Sequence, residues 1–142
     1  MFPPDFKELL SDLNNQNSKY LIIGGYAVGV HSRPRATKDL DILISPDPEN
    51  AKAVHNALAK FGAPIARLQP ADLIEQDTFF RIGSPPLMVD IIPNVRGVDF
   101  ENAWKRRIEI EVEPGLKVPF ICSDDLIQAK LAAGRGRQQA LR

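Results

Sequence analysis

Tyr20-Leu21-Ile22-Ile23-Gly24-Gly25-Tyr26-Ala27-Val28, followed after one loop by Arg35-Ala36-Thr37-Lys38-Asp39-Leu40-Asp41-Ile42, is the stretch on which the reading of this chain turns. Lys19 to Ile23 is a short apolar run with β-branched residues that stops at two glycines, which predicts a buried strand ending in a tight turn. The residues from Tyr26 to His31 then read as the first turns of a helix. Glycines at such a junction let the backbone approach a ligand closely, and a helix start offers unpaired N–H groups that favour an anion. The spacing excludes two familiar phosphate motifs. Gly24-Gly25-Tyr26-Ala27-Val28-Gly29 is not G-x-G-x-x-G, and Val30 and His31 stand where a P-loop needs Lys and Ser or Thr.

Asp39 and Asp41 are two apart on a predicted strand, so their carboxylates project from one face. The strand runs on as Ile42-Leu43-Ile44, apolar on both faces, which places it in the core with its acidic end at a cleft or surface. Two like charges at this spacing repel unless water screens them or a cation bridges them, and carboxylate oxygens are the preferred ligands of Mg²⁺. Asp90 adds weight, because it sits inside Leu87-Met88-Val89-Asp90-Ile91-Ile92, a second apolar strand in which an unpaired carboxylate is costly. A metal shared with Asp39 and Asp41 would offset that cost; so would a local hydrogen bond or an ion pair with an arginine.

Taken together, Ile22-Ile23-Gly24-Gly25, Asp39-Leu40-Asp41-Ile42 and Val89-Asp90-Ile91 resemble the DNA polymerase β-like nucleotidyltransferases, in particular their small stand-alone prokaryotic members. Those include toxin-type enzymes of toxin–antitoxin systems and minimal domains near the aminoglycoside and lincosamide nucleotidyltransferases. The resemblance spans about residues 20 to 130. It implies an α/β (α+β) fold, a mixed β-sheet flanked by helices, and a Mg²⁺-dependent transfer of a nucleoside monophosphate from an NTP to an acceptor hydroxyl with release of pyrophosphate. Two metal ions would be held by Asp39, Asp41 and Asp90, stabilising the attacking and departing oxygens. The Gly24-Gly25 turn would cradle the triphosphate, and Arg35, Thr37 and Lys38 of the intervening loop would add charge and a hydroxyl donor. Ser123 and Lys130, in the segment from Ser123 to Arg135, are similar to the Ser and Lys of the family's closing helix, which approach the nucleotide phosphates. The implied partners are the NTP, an acceptor that is a tRNA, a protein or an aminoglycoside-like small molecule, and a cognate antitoxin. A non-catalytic member of the same fold that binds nucleotide or a protein partner is the alternative from another class. A Ca²⁺-binding structural domain is disfavoured, since no EF-hand loop is present.

Past Gly134-Arg135-Gly136-Arg137 the sequence departs from the family, whose members continue with an Asp-containing turn and a further helix; here the Gly- and Arg-rich end reads as a frayed tail. A chain of 142 residues, 44% of them hydrophobic, is the size of one domain with a real core. Its formal net charge of zero gives no global field for nonspecific nucleic-acid binding, although a local patch for tRNA stays open. The single cysteine, Cys122, excludes an intrachain disulfide, and His31 and His55 are too few and too separated for a zinc set and read as surface or packing residues. No targeting signal or membrane span is evident, which predicts a cytoplasmic protein.

Elsewhere the periodicity predicts helices over 4–13, 48–61 and 100–106, a strand over 63–68, and a helical turn over 70–75. A hairpin of 78–82 with 87–92 turns around Gly83-Ser84-Pro85-Pro86, and a second pairs 108–112 with 117–121. A last helix starts at Ser123 and has Gly134 near its end.

Overall fold

The apolar run ending in two glycines forms strand β1 (Tyr20–Ile23), fully buried, and helix α2 (Gly24–His31) starts directly from it. A computed structural model describes residues 1–32, 39–84 and 86–140, with backbone alone for 135–140. In chain order helix α1 (Pro4–Asn15) precedes β1; after α2 come β2 (Asp39–Ile44), α3 (Pro48–Phe61), a 3₁₀ turn (Pro70–Ile74), β3 (Phe80–Ser84), β4 (Leu87–Ile92), α4 (Phe100–Lys105), β5 (Ile108–Glu113), β6 (Leu116–Phe120) and α5 (Ser123–Ala140). The six strands form one mixed sheet in the order β3-β4-β2-β1-β6-β5, flanked by the helices, an α+β architecture.

Local signals explain most boundaries. α1 buries Phe6, Leu9, Leu10 and Leu13 as one stripe, and it runs two residues past the expected end because Asn17 takes up the left-handed conformation at φ 56° that closes it, with Ser18 N–H donating to Leu13 O at 3.1 Å. Asp47 caps α3 by accepting from Asn50 N–H at 2.8 Å, Pro48 follows in the first turn, and Gly62 ends the helix at φ 95°.

Two expectations fail. Residues 63–68 form no strand, because their backbone is satisfied locally: Ala63 N–H donates to Leu58 O, Leu68 N–H to Ile65 O, the Leu68 carbonyl accepts from His55 Nε2 at 2.7 Å, and Pro64 has no N–H for a ladder. Gly134 does not stop the last helix, which continues to Ala140 in place of a frayed tail; a glycine with ordinary helical φ costs about 1 kcal/mol in a helix without obliging it to end.

The hairpins form as expected, with a different register in the first. β3 and β4 pair Ser84 with Leu87 and Arg81 with Asp90, so the link is two residues long and not four. Gly83 makes this possible: at φ 106° its Cα faces the Leu87 carbonyl so closely that a Cβ would strike it. At the far edge β5 alternates half-buried Ile110 and Val112 with exposed Glu109, Glu111 and Glu113. Lys7 and Arg107 pair with Glu113 and Glu109, and Glu111 accepts from Gly115 N–H. The pairing of β5 with β6 shifts register between Glu111 and Glu113. Among the described residues no helix is long and apolar enough to cross a membrane.

Candidate active site

Sheet topology decides where the acidic residues go. β2 lies between β1, which runs antiparallel to it, and β4, which runs parallel. The antiparallel pairing sets the C-terminal end of β1 beside the N-terminal end of β2, with Ile23 opposite Asp41, so the diglycine turn emerges next to the acidic end of β2. In the parallel pairing Asp41 is opposite Asp90, and partners in register project from the same face. Asp39, two residues along, shares that face. Three carboxylates separated by 51 positions of sequence thus share one side of two neighbouring strands.

Their environments differ. Asp39 is exposed, Asp41 half-buried, and Asp90 buried at 8% exposure. Burial, then the charges of Asp90 and Asp39, push the Asp41 carboxyl up to about 6, an electrostatic sign of like charges crowded in one place. Arg81, on edge strand β3, forks onto Asp90: Nε donates to Oδ1 at 2.7 Å and a terminal nitrogen to Oδ2 at 3.0 Å. An ion pair with an arginine, one of the compensations that the sequence leaves open for a buried Asp90, is thus formed.

Gly24 sits against this cluster at φ 70°, a left-handed conformation that favours glycine. A Cβ there would collide with the Asp41 carboxylate and lie 3.1 Å from its Cγ, so the backbone at the head of α2 reaches the acidic group more closely than any other residue type allows. Gly25 follows in the first turn of α2. At the other end of that helix His31 donates Nε2–H to Ile121 O at 2.7 Å, the packing role expected of it, and ties α2 to the chain entering α5.

Ser123 and Lys130 are both exposed on α5, and they flank α2. A cavity of about 210 Å³ between the two helices is lined by Ser123 and Lys130 together with Val28, His31 and Ser32. Lys130 also lines a neighbouring cavity of about 180 Å³ with Ile23 and Gly24, which brings its ammonium-bearing chain to the diglycine turn. Asp125, in the first turn of α5, is buried and gripped by Arg106 through hydrogen bonds of 3.1 and 2.8 Å, and it accepts from the Cys122 thiol at 3.1 Å; the Arg106 bonds hold its carboxyl below the usual range. Cys122 is buried in this structural cluster. Two larger concavities among the described residues, about 380 and 350 Å³, surround Lys19 at the opposite end of β1 and contain none of these carboxylates. Arg35, Thr37 and Lys38 lie outside the described residues.

Does this cluster suit a divalent cation? All three donors are carboxylates, the chemistry Mg²⁺ prefers, and the backbone of the glycine turn lies close against Asp41. Among the described residues, however, no three Asp, Glu, His or Cys side chains already stand around a common metal position. Both oxygens of Asp90 face the guanidinium of Arg81, itself a positive charge placed among the carboxylates. The donor set fits a cation, provided that Asp90 is released. Arg81 is the residue that sequence reasoning missed.

No protein-family model matches the chain, and neither does any curated protein. Among solved structures it is similar to a putative nucleotidyltransferase from Thermotoga maritima, with a TM-score of 0.69 and 17% identity over 99% of this chain and 92% of that one. The two share a fold, which in this chain is a mixed six-stranded sheet flanked by helices.

Proposed function

We propose that this chain is a Mg²⁺-dependent nucleotidyltransferase, moving a nucleoside monophosphate from an NTP to an acceptor hydroxyl with release of pyrophosphate. The observation that carries the reading is the register of β2 on β4, which sets Asp41 beside Asp90 with Asp39 on the same face, at the mouth of the Gly24 turn. The fold shared with the Thermotoga maritima protein supports it.

Asp39 and Asp41 supply the oxygens on which divalent cations would be held, with Asp90 joining them. When bound, such ions neutralise triphosphate charge and ease deprotonation of the acceptor hydroxyl. The rest falls to the chain itself. The N–H groups at the start of α2, beside Asp41, would orient phosphate oxygens. Lys130, sharing a cavity with Gly24, adds a positive charge, and Ser123 a hydroxyl, from the α5 side. Asp90 lies on β4 opposite Asp41, and its carboxylate would take the proton of the attacking hydroxyl once Arg81 withdraws. The acceptor oxygen then bonds to the α-phosphorus as the bond to the pyrophosphate oxygen breaks. Positioning and charge neutralisation supply most of the catalysis in such a reaction.

The decisive assay incubates the protein with each labelled NTP, Mg²⁺ and candidate acceptors (tRNA, cell protein, aminoglycosides) beside an Asp39→Asn, Asp41→Asn double variant. Transfer by the native chain alone supports the enzyme. The Arg81 grip on Asp90 favours a second reading, a nucleotide-binding protein without catalysis, and tight NTP binding with no transfer to any acceptor would establish that instead. A toxin-like role would follow from transfer to tRNA or protein that a co-expressed antitoxin suppresses.

A further inference from the structure

The pairing of Arg81 with Asp90 reaches past the reaction to how the site is loaded, and it rests on the metal-dependent reading above for the identity of the competing cation. Three facts define it. The pair is bidentate and in register, since Arg81 and Asp90 are directly opposed on antiparallel strands. The two partners are unequally buried, with side-chain exposure of 50% for Arg81 and 11% for Asp90, so the carboxylate is anchored while the guanidinium has solvent to move into. Finally, the guanidinium's positive charge also acts on Asp41, against the crowding of the carboxylates. Beside it Phe79, itself 59% exposed, has its ring centroid 5.7 Å from the guanidinium carbon, a contact that steadies the arginine without burying it.

A fork takes one lone pair on each oxygen of the carboxylate and sets a fixed positive charge against it, so a cation approaching the same oxygens meets like-charge repulsion and fewer free donors. We propose that Arg81 is a built-in counter-ion that competes with divalent metal for Asp90. Asp90 joins a bound metal fully only after the guanidinium swings outward from the edge strand. The device keeps Asp90 from standing as an uncompensated buried charge while the metal is absent, and it weakens the empty protein's hold on metal.

The test measures Mn²⁺ binding alone, by loss of the free-ion electron paramagnetic resonance signal, to the full chain and its variants at fixed ionic strength, with thermal unfolding recorded alongside. Arg81→Gln, which removes the competing charge, is expected to bind Mn²⁺ about tenfold more tightly than the native chain, an effect the size of one charge-assisted pair after solvent screening. Its melting temperature should fall without metal and recover more than the native protein's on adding Mn²⁺. Arg81→Lys keeps the charge and loses the fork, so a gain of about threefold is expected, and this variant carries the comparison if Arg81→Gln does not fold. In an Asp90→Asn background the gain from Arg81→Gln should vanish, since the contested carboxylate is gone. Equal or weaker Mn²⁺ binding by the Arg81 variants overturns the proposal. So does a gain that survives in Asp90→Asn, which would make Arg81 a diffuse field and not a competitor. If the native chain binds Mn²⁺ and the Arg81 variants match it, only this inference falls. If neither native nor variant protein binds Mn²⁺, the metal-dependent reading falls with it.

Discussion

Replacing Gly24 by alanine tests the geometry at the centre of the site, because two separable penalties meet there. The first is conformational: at φ 70° an L side chain pays about 1 to 2 kcal/mol. The second is steric, since the new Cβ would lie against the Asp41 carboxylate and 3.1 Å from its Cγ, and forcing an extra carbon into a filled place costs about 1 to 3 kcal/mol. Gly62 isolates the first penalty, for it has φ 95° and a Cβ added there would meet nothing within 4 Å. Gly62→Ala should therefore lose about 1 to 2 kcal/mol and Gly24→Ala about 2 to 5 kcal/mol. In thermal unfolding without metal, at roughly 2 to 4 °C per kcal/mol for a chain near this size, the melting temperature should drop by ~2–8 °C for the former and ~4–20 °C for the latter. Urea unfolding gives the same comparison as free energies. A third variant sharpens it: in Asp41→Ala, where the carboxylate is gone and only the Cβ remains, 3.2 Å from the new one, Gly24→Ala should cost less than it does in the native chain. Equal losses at the two glycines, or an undiminished Gly24 penalty in the Asp41→Ala background, would refute the close approach of the diglycine turn to Asp41.

Other perturbations probe neighbouring parts of the molecule. The Asp41 carboxyl titrates near pH 6 in the folded chain, above its ordinary value when unfolded, so the folded form binds the extra proton and metal-free stability should fall as pH rises from about 4 through 6. The group is partly in solvent, so the loss should be on the order of 1 kcal/mol, seen as the difference between native and Asp41→Asn urea curves across that range; parallel curves would remove the crowding argument. Asp125 has the opposite sign: Arg106 holds its carboxyl low, so its contribution is present above the ordinary carboxylate range and disappears as pH falls through the lowered value. Asp125→Asn should cost about 1 kcal/mol at neutral pH and nothing at the acid end, since the partner guanidinium is half in solvent. Asp47→Ala, which deletes the cap of α3, should cost about 1 kcal/mol by urea unfolding at neutral pH and leave NTP binding intact.

Much of the site was legible because strands impose a period of two. Once Asp39 and Asp41 are assigned to one strand and Asp90 to another, each carboxylate's face follows, and only the alignment of the two strands remains open. That alignment is a long-range property, fixed when β2 packs between β1 and β4, and no local pattern encodes it. The Arg81 contact was hidden by a small error of register. A four-residue turn over 83–86 would set Ile82 opposite Leu87 and Phe79 opposite Asp90, whereas the observed two-residue link slides β3 by two positions and delivers Arg81. The deciding signal was Gly83, whose left-handed backbone belongs inside the strand pair and not in the turn. The mistaken strand over 63–68 has a similar origin, since an apolar run does not reveal that its carbonyls and amides are satisfied within their own turns.

The β5 margin of the sheet carries a consequence for how these molecules behave when crowded. A bare outer strand is a template on which another chain can extend the ladder. Here a would-be invader meets a picket of glutamates at 109, 111 and 113, each steadied by a local donor so that the row stays put despite its mutual repulsion, and a kink in the pairing between 111 and 113 spoils the straight run that invasion needs. Growth into fibrils from that side is discouraged by the same residues that a survey for chemistry would pass over.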